Sequence, residues 1–135
     1  MSDPRQDSGY LLDTHAAIFS LRQSSALPIA AKAAIATGPN YLSVISYWEV
    51  VLKSMKNTLD VGDPRAWWTD ALEQLVATPL LLRPQHIAGV CGLPPIHKDP
   101  FARLLIAQAA LEGLVLVTMD GEIAQYASEN LRVVE

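Results

Sequence analysis

Basic charge, cysteine and long apolar runs are all scarce in this chain of 135 residues. Ten lysines and arginines stand against fourteen aspartates and glutamates, a net charge of −4. That balance argues against a general nucleic-acid coat, which is usually basic. It leaves room for an enzyme acting on RNA, because a site that binds metal through carboxylates is acidic by construction and the metal inverts its local sign. The single cysteine, Cys91, excludes an internal disulfide, leaves no second thiol for a zinc knuckle and suits a reducing cytoplasm. The histidines, His15, His86 and His97, match no zinc spacing. No apolar run approaches the ~20 residues needed to cross a bilayer, so no membrane partner is expected. Residues 1–9 are polar and carry both charge signs; they lack the apolar stretch of a secretory signal and read as a short flexible lead-in to a single domain over residues 10–135.

Half of the residues are hydrophobic, enough for a real core. Short β-like runs alternate with longer helical ones, the pattern of an α/β domain with a mainly parallel sheet. Strands are predicted at 10–12, 41–44, 80–82, 114–118 and 132–134, and helices at 14–21, 28–37, 45–56, 63–77, 85–90, 99–112 and 122–126. The helix over 45–56 is assigned an apolar face of Ile45, Trp48, Leu52 and Met55 from their spacing. Asp99 followed by Pro100 is a strong helix start and Gly113 a stop, and the helix between them is apolar nearly all round, so it should be buried.

Acidic residues stand at the junctions of these elements. Asp13 and Asp120 each close a predicted strand, Asp99 opens the apolar helix, and Glu49 lies one turn into the helix after another strand. In open parallel sheets, sites lie outside the carboxyl ends of the strands, and the connectivity allows all four acids to meet there. Two carboxylates about 4 Å apart repel by roughly 4 kcal/mol at an effective dielectric near 20. A magnesium or manganese ion would relieve that repulsion through hard oxygen ligands, and a metal so held supports phosphodiester hydrolysis without a covalent nucleophile. Plainer readings stand beside this one. Asp99 fits a simple helix N-cap, Glu49 an ion pair with Lys53 four residues on, and Asp120-Gly121 a turn. Asp13 is harder to dismiss, since aspartate is disfavoured in strands. Thr14 and Thr118 serve either as hydroxyl donors to the site or as caps, and Arg103 either as a phosphate contact or as solvated charge. His15 reads as a packing or surface residue, and Trp48, Trp67 and Trp68 as core or interface.

Taken together, Leu11-Leu12-Asp13-Thr14-His15, Ser43 to Lys53 with Trp48-Glu49, Leu93 to Ala109, and Leu114 to Asp120 resemble the successive motifs of a PIN-domain ribonuclease. The resemblance is to the VapC toxins of bacterial type II VapBC toxin–antitoxin systems and covers Tyr10 to about Val134. It implies a three-layer α/β/α domain with a central five-stranded parallel sheet, and Mg²⁺- or Mn²⁺-dependent endonucleolytic cleavage of RNA in a bacterial cytoplasm. It also implies a homodimer, a cognate antitoxin and a toxin–antitoxin hetero-oligomer. Asp13, Glu49 and Asp120 match family acids. The third motif departs from the family: its usual Asp-Pro-Phe-Asp-Arg reads Asp99-Pro100-Phe101-Ala102-Arg103, so the third metal-site aspartate falls on Ala102. Asp99 takes over part of the role, or the chain is a weak or inactive toxin, or the position has been altered by design.

Two functions of different class follow. One is a toxin ribonuclease whose metal set is Asp13, Glu49, Asp99 and Asp120, weakened or disabled at position 102. The other is a catalytically inactive PIN-fold module that binds an antitoxin. A metal phosphatase working through an aspartyl-phosphate is disfavoured, because Asp13-Thr14-His15 lacks a second acid two residues on.

Overall fold

The computed structural model describes residues 9–135; the lead-in expected over residues 1–9 lies, but for Gly9, outside them. Five strands, β1 (Tyr10–Leu12), β2 (Asn40–Ser43), β3 (Ala77–Leu80), β4 (Val115–Val117) and β5 (Val133–Val134), form one sheet in the order β3-β2-β1-β4-β5. Every pairing in it is parallel. The helices are α1 (Thr14–Arg22), α2 (Ile29–Thr37), α3 (Val44–Met55), α4 (Pro64–Gln74), α5 (Pro84–Val90), α6 (Pro100–Glu112) and α7 (Gly121–Ala124). From β1 the chain builds outward through β2 and β3, then returns to the other side of β1 for β4 and β5. The carboxyl ends of β1 and β4 therefore flank the switch point, where open α/β sheets place their sites.

Side chains alternate across a strand, and that period sorts the core into two layers. Leu11 and Leu116 face one way, into a cluster with Ile45 of α3 and Ala102, Leu105, Ile106 and Ala109 of α6. Leu12, Leu42 and Val117 face the other way, against Ala16 and Ala17 of α1, Ala31 and Ala34 of α2, and Ala71 of α4. Helices cover both faces, which is the three-layer α/β/α arrangement expected. The alanines let these helices lie close to the sheet. Among the described residues no helix is long and apolar enough to cross a membrane.

The bounds of α6 fall where the sequence placed them. Asp99 accepts a hydrogen bond from the Phe101 N–H at its start, and Gly113 ends it in the left-handed region at φ 68°. Three expectations need correction. The third strand is Ala77–Leu80, not 80–82: it is an edge strand that tolerates Pro79, while Leu81 and Leu82 are exposed. The helix expected to reach residue 77 ends at Gln74, because Leu75 caps it and Val76 turns at φ 48°. The buried face of α3 is Ile45, Ser46, Glu49 and Val50; Trp48 and Met55 are 53% and 74% exposed. Two polar residues lie on that face because Thr14 of α1 meets both of them there.

Candidate metal centre

The four junction acids converge. Asp13, Glu49, Asp99 and Asp120 line one hollow of about 80 Å³ at the carboxyl edge of the sheet, together with Thr14, His15, His97 and Ala102. Each acid arrives from its own element. Asp13 follows β1 and caps α1, with its Oδ1 accepting the Ala16 N–H at 2.7 Å. Glu49 comes from the second turn of α3, Asp99 caps α6, and Asp120 follows β4 and caps α7, accepting the Glu122 N–H at 2.9 Å. A larger hollow of about 640 Å³ opens between Ser20, Thr37, Asn40 and Gln74, and none of its lining residues is charged, so it offers no carboxylate to a cation.

The two threonines tie the acids together. Thr118 is fully buried; its hydroxyl donates to Asp13 Oδ2 and accepts the Asp120 N–H at 2.9 Å. Thr14 donates to Glu49 Oε1 at 2.6 Å and lies 3.0 Å from the Ser46 hydroxyl. Glu49 Oε2 takes the Lys53 ammonium at 2.7 Å, so the expected ion pair forms on a residue that also lines the hollow. Ser46 and Glu49 thereby each have protein partners for their side-chain oxygens.

Asp13 and Glu49 are each 4% exposed. Burial pushes the Asp13 carboxyl above its ordinary range, against the opposing hydrogen bonds from Thr118 and the Ala16 N–H. Asp120 goes the other way. Burial raises it, but the His97 hydrogen bond and the backbone N–H of Glu122 outweigh that and hold it below the usual carboxylate range. A buried acid pressed toward neutrality beside the ionised Asp120 is the condition a bound cation relieves. The hard-oxygen donor set fits magnesium or manganese rather than a soft metal. The Ala102 methyl, 5% exposed, lines the same hollow and offers no oxygen.

Two assignments change. Arg103, left open between a phosphate contact and solvated charge, is instead bound to the protein: it does not line the hollow, and its guanidinium donates to the carbonyls of Pro94, His97, Val90 and Leu93. His97, set aside for want of a zinc spacing, enters the hollow with Nε2 at 2.8 Å from Asp120 Oδ2. Only the fold could reveal it, since the partners stand 23 residues apart. His15 lines the hollow and is exposed, whereas His86 is buried elsewhere against Glu112, its Nε2 at 2.8 Å. Trp48 packs edge-on against Phe101 with centroids 5.2 Å apart, and Trp68 stacks on Tyr47 at 4.8 Å.

The family model of the PIN domain matches residues 10–129. No curated protein sequence matches the chain significantly. Among solved structures, the fold is similar to VapBC2 from Rickettsia felis bound to a DNA fragment from its promoter, with TM-score 0.65 and 14% identity over 93% of this chain and 96% of that one. It is similar to VapBC-1 from nontypeable Haemophilus influenzae, with TM-score 0.65 and 16% identity over 93% and 96%. It is also similar to DNA-bound VapBC from Salmonella typhimurium, with TM-score 0.63 and 17% identity over 93% and 96%.

Proposed function

This chain belongs to the PIN domain family, and from that premise we propose that it is the toxin of a toxin–antitoxin pair, a divalent-metal-dependent endoribonuclease weakened at Ala102. The observation that carries this reading is the convergence of Asp13, Glu49, Asp99 and Asp120 on one hollow at the switch point of the sheet. Family membership supports the nuclease chemistry. The likeness to VapBC complexes supports a cognate antitoxin as partner. The homodimer, the hetero-oligomer with antitoxin and a bacterial cytoplasmic setting belong to the same proposal.

Asp13, Glu49, Asp99 and Asp120 would hold Mg²⁺ or Mn²⁺. Bound there, such a cation would supply Lewis acidity for activating water toward a phosphodiester and for stabilising charge on the departing oxygen. The protein groups set the frame. Thr118 and the Ala16 N–H fix Asp13, Thr14 and Lys53 fix Glu49, and each carboxylate oxygen keeps a lone pair beyond the hydrogen bond it accepts. Unscreened, the acids repel the phosphates of RNA, so substrate approach and catalysis share one cation requirement. Loss of the usual aspartate at 102 removes an oxygen from the set without disturbing the helix, since alanine suits a helix interior.

The methyl of Ala102 inside the hollow also favours a second reading, an antitoxin-binding module without catalysis. Cleavage of end-labelled total RNA in Mg²⁺ or Mn²⁺ and in chelator, with Asp13→Asn as control, tests the first. Cutting that needs the metal and disappears in Asp13→Asn supports a ribonuclease. Cutting that survives chelator or Asp13→Asn points to a contaminant and defeats it.

A further inference from the structure

The loop between α5 and α6 is gathered from two sides. Arg103 Nη1 donates to the Pro94 and His97 carbonyls at 3.1 and 3.2 Å, and Nη2 to those of Val90 and Leu93 at 3.3 and 3.4 Å. The Tyr126 hydroxyl accepts the Ile96 and His97 N–H groups at 3.1 and 2.8 Å and donates to the Pro94 carbonyl at 2.8 Å. Arg103 Nη1 reaches the same hydroxyl at 3.3 Å. This much hydrogen bonding on one short loop serves to hold the His97 ring in the acidic hollow.

The ring is held in a defined state. His97 Nδ1 accepts the Asp99 N–H at 3.1 Å, so the neutral imidazole carries its proton on Nε2 and points it at Asp120 Oδ2, 2.8 Å away. This decides between two roles. His97, Asp120 and Glu122 offer ligand atoms within 4.8 Å of one another, which on distance alone suggests a separate metal trio. A metal-ligating histidine, however, donates its other ring N–H outward to an acceptor. The other nitrogen of His97 faces a donor, so the ring is set up to donate at Nε2 and not to ligate there.

We propose that His97 is a positioning residue. Its Nε2–H fixes the rotamer of Asp120 so that the remaining lone pairs of that carboxylate face the hollow, and the Arg103–Tyr126 clamp fixes His97. The inference rests on the reading of the hollow as a cation centre. An oxygen accepting the imidazole N–H keeps a second acceptor site for the cation, so holding Asp120 does not block it. Partners of metal ligands of this kind typically contribute about 10–100-fold in metal affinity.

The test is Mn²⁺ affinity, read from the free-ion electron paramagnetic resonance signal, which does not depend on turnover. The proteins are the chain itself, His97→Ala, His97→Gln, Tyr126→Phe and Asp120→Asn, each checked for a cooperative metal-free melt. His97→Ala should bind Mn²⁺ about 10–100-fold more weakly. His97→Gln should recover most of that, because its amide can donate from nearly the same place. Tyr126→Phe, which keeps the ring and loses the tyrosine hydroxyl's part of the clamp, should be weakened several-fold, and it decides the matter if His97→Ala does not fold. Unchanged or tighter binding by His97→Ala or Tyr126→Phe overturns the inference while leaving the cation centre intact. If Asp120→Asn binds as the parent does, or neither binds, the cation reading itself fails and the inference falls with it.

Discussion

Replacing Thr118 with valine removes one hydroxyl and nearly nothing else, and it strikes the joint between two acids. The side chain is fully buried, donates to Asp13 Oδ2 and accepts the Asp120 N–H at 2.9 Å. A hydrogen bond to a charged group contributes roughly 1.5–3 kcal/mol and a neutral one about 1 kcal/mol. The variant should therefore lose about 3 kcal/mol in chelator at a pH where Asp13 is ionised. For a domain of this size that lowers the melting temperature by roughly 10 °C. The loss should depend on pH, with a definite sign. Donation from Thr118 favours the ionised form of Asp13, whose pKa burial has raised. The contribution is present in full above that raised value and fades as pH falls through it, leaving only neutral bonds. Urea unfolding followed by tryptophan fluorescence, at the two ends of a pH series that rises from the ordinary carboxylate value of about 4 to where the loss levels off, reads both quantities. A loss below about 1 kcal/mol at the higher pH, or an equal loss at both, would refute the reasoning.

Asp13→Asn should remove a pH dependence from the parent. The raised pKa means that the native state holds its proton where the unfolded chain has lost it, so metal-free stability falls as pH rises from the unfolded value through the raised one. The asparagine variant should melt a few degrees higher than the parent at neutral pH in chelator, and a lower melting point would contradict this account. Added Mn²⁺ should raise the parent's melting temperature far more than the variant's. Arg103→Met keeps the aliphatic packing of α6 and loses the carbonyl clamp; a loss of about 2 kcal/mol is expected, with faster amide exchange at Ile96 and His97. Unchanged exchange there would show that Tyr126 alone suffices.

The legible parts of this molecule are those where local and global signals agree. α6 announces itself through Asp99-Pro100 and Gly113, and β1 and β4 through short apolar runs closed by acids, so their bounds and the edge they share follow from the chain. β3 was misplaced because Leu81 and Leu82 look like strand residues, yet they are exposed, and the pairing with β2 runs through Pro79 instead. The buried face of α3 was hidden for a related reason. Hydrophobic spacing selected Trp48 and Met55, but hydrogen bonds across to Thr14 allow Ser46 and Glu49 to be buried instead. That Asp13 and Asp120 meet at the carboxyl edge of the sheet was readable because acids at strand ends are unusual. His97 was not, because its role depends on a loop shaped by Arg103 and Tyr126, and no spacing in the chain encodes that contact.

The central claim is that four carboxylates form the metal site of a ribonuclease that lacks one acid at position 102. The rate of cleavage of end-labelled RNA by the chain and by Ala102→Asp, with Mg²⁺ or Mn²⁺ and with chelator, tests it most directly. The account requires metal-dependent cutting that is faster in Ala102→Asp by about tenfold or more, the scale on which metal-site partners act. Failure of both proteins to cut any RNA, or equal rates from the two, would contradict it, and in the first case leave an antitoxin-binding module as the better description.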